Sequence, residues 1–162
     1  MTLPFAAGII PWTQSLAVTR SPLKSNSVTR SLPLNKSFLL GLETSNKKWS
    51  GFVGGQEPGE SIPETAIREF NEETSGLFKE YLNEIYLQVV NTVPYIDTSS
   101  SGRNVYLFFI EFNEKFDVSQ FKFNRSLENA REYREKSDLR WFSTDEIKTT
   151  KNIFYKIKRI IC

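Results

Sequence analysis

Short apolar runs recur along this chain of 162 residues and predict the strands of a sheet. Residues 5–12, 37–43 and 104–112 are runs of aliphatic and aromatic side chains, which is the pattern of buried strands. Residues 85–96 alternate poorly but are rich in strand-forming side chains, so we expect a strand there as well. Residues 97–102 then form a hairpin loop, which places this strand antiparallel to 104–112.

The stretch at residues 54–77 has a helical period instead. Ser61 and Glu64 form an S-x-x-E capping box with Pro63 in the first turn, and Gly76 stands where a helix commonly ends. At about 100° per residue, the side chains that must be buried fall on one face. They are Ala66, Ile67, Phe70, Thr74 and Leu77. The sequence therefore predicts a well-capped helix with one buried face.

The remaining segments are more polar. Residues 15–35 are rich in Ser, Thr, Pro and Asn, and we interpret them as a loop or a disordered insertion. Residues 138–142 predict a last short strand, after which Ser143 and Glu146 form a second capping box that starts a tail helix. That helix carries apolar side chains on one face: Ile147, Phe154, Ile157 and Ile161. We expect it to close against the sheet, although basic amphipathic helices also bind membranes or partner proteins.

The order of these elements predicts an α/β fold, a sandwich with a mixed β-sheet. The chain length favours a single domain over residues 1–162. No run approaches the ~18 apolar residues that a membrane helix needs, and no basic region precedes the apolar residues 3–12, so we expect neither a membrane span nor a signal peptide. The one cysteine, Cys162, excludes an intrachain disulfide and fits a reducing compartment. We therefore expect a cytoplasmic protein.

Three glutamates on the flank of the predicted helix indicate a candidate site. Glu69, Glu72 and Glu73 repel one another at this spacing, and a divalent cation would offset the repulsion. Hard cations such as Mg²⁺ take carboxylate and carbonyl oxygens and suit phosphate substrates. The alternative is a solvated acidic helix face. The chain has no histidine, which excludes imidazole general-base catalysis and His-ligated zinc and leaves carboxylates acting with hard cations.

The same stretch resembles the box that marks the Nudix hydrolase family. Seven positions of that box stand here at the family spacing: Gly54, Glu60, Arg68, Glu69, Phe70, Glu72 and Glu73. Val53 stands where the family usually has the first of two glycines, and Thr74-Ser75 replaces a single position, which moves the closing glycine to Gly76. Because this insertion follows the glutamates, we expect it to bend the helix exit rather than the metal site.

The resemblance implies a fold, an activity and a cofactor. The fold is a Nudix-type α/β/α sandwich. The activity is hydrolysis of a phosphoanhydride bond in a nucleoside diphosphate linked to another moiety, with Mg²⁺ or Mn²⁺ as cofactor and a small nucleotide as substrate. By position, Glu72 and Glu73 match metal ligands, and Glu69 matches a ligand or the general base. Val53 matches a metal ligand through its backbone carbonyl.

Two further roles are expected around these glutamates. Arg68 supports the site by pairing with Glu60 or Glu64, which fixes the loop on the helix. Proteins of this kind often add one more acid from a distant loop. Glu132 or Glu135 is our candidate for that acid.

The charge distribution leaves other functions open. Residues 1–36 and 147–162 carry bases and no acid, so basic ends flank an acidic centre in a chain of net charge +2. The bases of the N-terminal segment are Arg20, Lys24, Arg30 and Lys36. Together with the basic tail they would suit an RNA backbone, so an mRNA cap hydrolase is one alternative, and a non-catalytic Nudix-fold module that binds nucleotide or RNA is another. Otherwise these bases only offset the acidic centre and keep the protein in solution. The box keeps every glutamate, which favours an enzyme. Its substrate stays open among nucleoside triphosphates, dinucleoside polyphosphates, nucleotide sugars, diphosphoinositol phosphates and capped mRNA.

Overall fold

The computed structural model describes residues 4–14, 18–19 and 36–162. The segment expected to be a loop, 15–35, lies outside the described residues except for a two-residue strand. The strands are β1 Ala6–Thr13, β2 Val18–Thr19, β3 Ser37–Glu43, β4 Trp49–Ser50, β5 Phe52–Gly55, β6 Tyr95–Thr98, β7 Asn104–Glu111, β8 Lys115–Phe116 and β9 Lys136–Ser143. The α-helices are α1 Ile62–Glu73, α2 Leu82–Val90, α3 Phe121–Ser126, α4 Thr144–Thr149 and α5 Tyr155–Ile161. Two 3-10 turns lie at Lys79–Tyr81 and Arg131–Arg134.

Strand β1 is the centre of the main sheet. It runs parallel to β7 on one edge, and on the other edge it pairs antiparallel with β5 along its first half and with β3 at its end. β6 extends the sheet beyond β7, while β4 and β9 both pair with β3. The sheet is therefore mixed, as expected. The predicted strands 5–12, 37–43, 104–112 and 138–142 correspond to β1, β3, β7 and β9.

Two apolar clusters lie on opposite faces of this sheet. On one face, α1 and α2 bury Phe70 and Ile85 against Phe52 of β5. On the other face, Ile147 of α4 and Ile157 of α5 pack in a second cluster. Helices thus cover both faces, which confirms the α/β/α sandwich. Each cluster stabilises the fold by removing aromatic and aliphatic surface from water.

The strand expected at 85–96 is wrong, because the first half of that segment belongs to the helix α2. Ile85 and Val89, four residues apart, are its buried side chains, and they pack into the same cluster as α1. Strand-forming residue types were outweighed here by the packing of this one helical face. Only Tyr95–Thr98 is a strand, and its antiparallel pairing with β7 across the loop before Asn104 is as expected.

The single tail helix expected after Ser143 is also wrong, because the tail is divided into α4 and α5. Between them the backbone bonds to Trp49, whose N–H donates to the Asn152 carbonyl at 2.8 Å and whose carbonyl accepts from the Phe154 N–H at 2.9 Å. These two hydrogen bonds replace helical ones. The expected packing of the tail on the sheet is confirmed. Among the described residues, no helix is long and apolar enough to span a membrane.

Candidate active site

Helix α1 begins at the capping box that the sequence predicts. The Ser61 hydroxyl accepts from the Glu64 N–H at 3.2 Å, and the Glu64 carboxylate accepts from the Ser61 N–H at 2.9 Å. Pro63 lies in the first turn, where its missing N–H leaves no bond unmade. This start fixes the rotation of the helix, so that Phe70 enters the core while the glutamates lie at its edge.

Arg68 fastens the loop before α1 to the helix. Its guanidinium donates to Glu60 Oε2 at 2.7 Å and to the Gly55 carbonyl at 2.7 Å. Of the two partners expected, Glu60 therefore pairs with Arg68, while Glu64 is engaged in the capping box. The hydrogen bond from Arg68 is the largest cause that lowers the pKa of Glu60 to about 2. The Thr65 hydroxyl adds a further bond to the same carboxylate at 2.9 Å.

The same guanidinium reaches two of the three glutamates on the helix flank. Its Nη1 donates to Glu69 Oε1 at 2.9 Å and to Glu72 Oε2 at 3.2 Å. Glu72 is thus held beside the site by Arg68. Burial raises the pKa of the Glu72 carboxyl, and the charge of Arg68 opposes that shift.

The structure brings Glu69 and Glu73 together with an acid that is distant in sequence. One carboxylate oxygen from each of Glu69, Glu73 and Glu135 lies within 4.8 Å of the others. Glu69 and Glu73 are buried one helical turn apart, and Glu135 is exposed just after the turn Arg131–Arg134. Of the two distant acids expected, the structure places Glu135 in this carboxylate cluster. Glu132 is exposed on that turn and does not belong to the carboxylate cluster.

The carboxylate cluster fits a hard divalent cation. Among the described residues, Glu73 Oε1 is buried and accepts no hydrogen bond, and such an atom normally has a partner. Burial, the largest cause, raises the pKa of Glu69 to about 7 and that of Glu73 well above its ordinary value. The charges of Arg68, 2.9 Å from Glu69, and of Lys136, 3.7 Å from Glu73, therefore offset the burial of these two carboxylates only in part. Three carboxylates within reach of one ion are the ligand set that Mg²⁺ and Mn²⁺ accept.

Glycines on two strands make room for this arrangement. A Cβ on Gly54 would lie 2.1 Å from Cδ of Glu69, so a side chain there would displace the carboxylate. Gly8 of β1 lies opposite Val53 of β5. A Cβ on Gly8 would come within 2.5 Å of the Val53 side chain and 2.2 Å of the Phe52 carbonyl. Gly8 thus accommodates the valine that departs from the Nudix box. The role of the Val53 carbonyl as a metal ligand stays a prediction.

The insertion after the glutamates bends the helix exit, as expected. Helix α1 ends at Glu73, and Ser75 and Gly76 both take the left-handed conformation, with φ of 52° and 69°. The Ser75 hydroxyl donates to the Tyr133 carbonyl at 2.9 Å. The inserted residues therefore fasten the end of α1 to the turn that carries Glu135. The sequence did not indicate this contact, because Ser75 and Tyr133 are far apart in the chain.

A buried lysine beneath the carboxylate cluster is the residue that sequence reasoning missed. Lys136 Nζ donates to Glu43 Oε1 at 2.6 Å, Ser50 Oγ at 2.8 Å and the Gly51 carbonyl at 3.0 Å. It also lies 3.7 Å from Glu73 Oε1. The register of β9 against β3 shifts next to Glu43, and this irregularity coincides with the inward position of Lys136.

The fold and this site define a class of protein, an α/β/α sandwich with clustered carboxylates along the edge of one helix. The model of the NUDIX domain matches residues 28–160, so the chain belongs to the Nudix family. The expected class, a hydrolase acting on phosphoanhydride bonds, is confirmed at the level of that family. A search of curated protein sequences gives no significant match.

Two solved structures share the fold at low sequence identity. A Caenorhabditis elegans Ap4A hydrolase in a binary complex is 15% identical, with a TM-score of 0.57 over 96% of this chain and 92% of that chain. A hydrolase of the NUDIX family from Clostridium perfringens is 17% identical, with a TM-score of 0.56 over 99% of this chain and 94% of that chain. At these identities the likeness shows the fold alone.

Proposed function

We propose that this protein is a divalent-metal-dependent hydrolase that cleaves a phosphoanhydride bond in a nucleoside diphosphate linked to another moiety. The observation that carries the proposal is the carboxylate cluster, in which oxygens of Glu69, Glu73 and Glu135 lie within 4.8 Å of one another. The non-catalytic alternative is not favoured, because Glu60 and Glu72 of the box are also kept and are fixed by Arg68.

Each residue of the site has a role in this proposal. Mg²⁺ or Mn²⁺, when bound, neutralises phosphate charge and acidifies a water molecule. Glu73 and Glu135 would hold the ion, and Glu69 would be either a third ligand or the general base for the attacking water. Glu72 lies next to them as a further ligand or second base. Arg68 keeps Glu69 and Glu72 in place and does not itself react.

A cavity beside β5 supports a nucleotide as the substrate. Its volume is about 300 Å³, at the lower end of the range for ligand sites, and its walls are mostly apolar. The apolar wall residues are Val53, Val105, Leu107, Phe154, Ile157 and Ile160. Tyr95, which is exposed, offers a ring on which a base can stack. Asp97 and Lys156, paired at 2.9 Å, supply polar groups to the same cavity.

The test is a substrate screen with Mg²⁺ and with Mn²⁺, with products identified by mass. It begins with dinucleoside polyphosphates, the substrate class named for the C. elegans protein, and includes nucleoside triphosphates, nucleotide sugars, diphosphoinositol phosphates and capped RNA. We expect turnover that stops with a chelator and returns with either ion. Glu73→Gln keeps the shape of the side chain and should lose most of the rate, about 100-fold or more.

The control for this screen is Glu80→Gln, since Glu80 is exposed on the turn Lys79–Tyr81 and lies outside the carboxylate cluster. It should keep the wild-type rate. Hydrolysis at the wild-type rate in Glu73→Gln, or full activity in the presence of a chelator, would contradict the proposal. The proposal of capped RNA rests on the bases at the two ends of the chain, of which Arg20, Lys24 and Arg30 lie outside the described residues, so it remains one member of the screen.

A further inference from the structure

Three arginines converge on a cleft next to the carboxylate cluster. The cleft has a volume of about 680 Å³. Its walls are formed by Glu43, Thr44, Ser45, Arg125, Asn129, Arg131, Arg134 and Glu135. Glu135 belongs to both the cleft and the carboxylate cluster, so the two are continuous. We call this feature the arginine cleft.

Two of the arginines are fixed by backbone carbonyls. Arg125 Nε donates to the Lys136 carbonyl at 2.6 Å, and its Nη2 donates to the Arg134 carbonyl at 3.1 Å. Arg134 Nη1 donates to the carbonyls of Arg125 at 3.4 Å and Glu128 at 3.2 Å. These bonds hold the guanidinium groups in the wall while leaving their charge uncompensated, because a carbonyl carries no net charge.

The arginine cleft has an excess of positive charge. Among the described residues, none of Arg125, Arg131 and Arg134 has a carboxylate within 4.0 Å, whereas Arg68 and Lys136 beside the carboxylate cluster are both paired. Glu43, the other acid of the cleft, is engaged by Lys136 at 2.6 Å. Guanidinium groups held close together repel one another, and an anion bound between them offsets that repulsion. Guanidinium groups with free donors are well suited to phosphate oxygens.

We propose that the arginine cleft binds a chain of phosphates of the substrate, on the side of the scissile bond away from the nucleoside. This inference rests on the proposed function and adds to it the class of substrate, a molecule with an extended oligophosphate. Glu43 lines both the arginine cleft and the apolar cavity beside β5, so the two cavities flank the same residue. A nucleoside in one and phosphates in the other would place the intervening anhydride beside the carboxylate cluster.

The experiment measures binding without metal, so that it does not depend on turnover. Inorganic tripolyphosphate is titrated into metal-free protein by calorimetry. Arg131 is the residue to change, because it is exposed and its guanidinium makes no hydrogen bond or ion pair among the described residues. We expect Arg131→Ala to raise the dissociation constant about tenfold. Arg131→Lys should raise the constant less, because lysine keeps the positive charge but lacks the paired donors of a guanidinium. Lys148→Ala, which removes the same charge from the exposed face of α4, should leave the dissociation constant unchanged.

A second readout uses chain length. For dinucleoside polyphosphates of increasing phosphate number, the loss of kcat/KM in Arg131→Ala should grow with the length of the chain. Equal dissociation constants for wild type and Arg131→Ala, or an equal loss in Lys148→Ala, would overturn the arginine cleft as a phosphate site, as would wild-type protein that does not bind tripolyphosphate. Binding that depends on Arg131, in a protein that hydrolyses no phosphoanhydride with Mg²⁺ or Mn²⁺, would instead overturn the proposed function and leave this inference standing.

Discussion

Lys136 lies 3.7 Å from Glu73 of the carboxylate cluster, and the two side chains expose only 0% and 3% of their surface. The Lys136 ammonium donates its three hydrogen bonds to Glu43, Ser50 and the Gly51 carbonyl, so it attracts Glu73 electrostatically without a hydrogen bond. Glu73 therefore keeps an oxygen available for a cation. Lys136 partly offsets the cost of burying this carboxylate when no cation is bound.

We predict that Lys136→Met lowers the free energy of unfolding by about 3–5 kcal/mol, the usual cost of removing one partner from a buried ion pair. Methionine keeps most of the side-chain volume, so the loss reports the charge rather than a cavity. Urea unfolding of the metal-free protein measures it. Lys122→Met is the control, because Lys122 is 72% exposed and pairs with Asp138 only at 3.9 Å. A loss in Lys136→Met no larger than in this control would contradict a structural role for the buried ammonium.

Arg68→Lys tests the fastening of the loop to α1. A lysine ammonium cannot bond to Glu60 and the Gly55 carbonyl at once with the geometry of a guanidinium. We expect unfolding to become easier by about 2 kcal/mol, and kcat to fall about tenfold or more as the site loses its fixed geometry. Denaturant unfolding and steady-state kinetics measure the two effects. Arg140→Lys, at a pair with Glu146 that is about half exposed, should leave kcat unchanged and cost at most about 1 kcal/mol of stability, since Arg140 also lies over the Phe142 ring. Similar losses in both variants would refute the role of Arg68.

The helix that carries the site was predictable from local sequence, and its surroundings were not. The capping box and the spacing of Phe70 and the glutamates are short-range signals, so α1 and its buried face followed from them. The partner of Arg68 was predicted only as Glu60 or Glu64, and the structure shows that it is Glu60. The exclusion of histidine chemistry needed only composition. From the sequence, the distant acid could be either Glu132 or Glu135. Both lie far from Glu69 along the chain, so only the tertiary fold determines which of them reaches the carboxylate cluster.

The features that sequence reasoning missed all depend on long-range contacts. The sequence predicted a strand where α2 lies, because Ile85 and Val89 are strand-forming residue types. Both are buried in the cluster that also contains Phe70 of α1, and this packing depends on the tertiary fold. The break in the tail comes from backbone pairing with Trp49, which no local pattern indicates. Lys136 and the three arginines of the cleft lie between residues 125 and 136, a polar stretch without the apolar periodicity of a helix or strand. Lysines and arginines in polar segments are usually exposed to solvent, so the sequence alone does not indicate which of them is buried.

The pKa of Glu69 predicts how stability depends on pH in the metal-free protein. Burial raises this pKa from 4.5 to about 7, so between those values the folded chain holds a proton that the unfolded chain has lost. Its contribution to stability is thus fully present below pH 4.5 and is lost as pH rises through about 7. Glu73, whose pKa is also raised by burial, acts in the same direction. Glu60 has the opposite sign, but its lowered pKa of about 2 places its effect below pH 4.5.

We therefore expect the melting temperature of the metal-free protein to fall by a few degrees between pH 5 and pH 8. Glu69→Gln, which resembles the protonated acid, should reduce that fall. Because a cation binds the ionised carboxylates, Mg²⁺ should raise the melting temperature more at pH 8 than at pH 5. Differential scanning fluorimetry in chelator and in Mg²⁺ measures both. A metal-free melting temperature that climbs over this range would contradict the raised pKa of Glu69.

Glu135 and Glu132, two acids three residues apart around the turn Arg131–Arg134, should differ in their effect on metal binding. Glu135 gives an oxygen to the carboxylate cluster with Glu69 and Glu73, and Glu132 does not. A neutral amide is a weaker ligand for a hard cation than a carboxylate, so Glu135→Gln should raise the dissociation constant for Mn²⁺ about tenfold, and Glu132→Gln should leave it unchanged. Both variants lose one negative charge at an exposed position, so long-range electrostatics affects them similarly. Titration of free Mn²⁺ by electron paramagnetic resonance measures the constants without turnover. If the two variants bind Mn²⁺ equally well, Glu135 is not a ligand, and the cation is held by the glutamates of α1 without an acid from the distant turn.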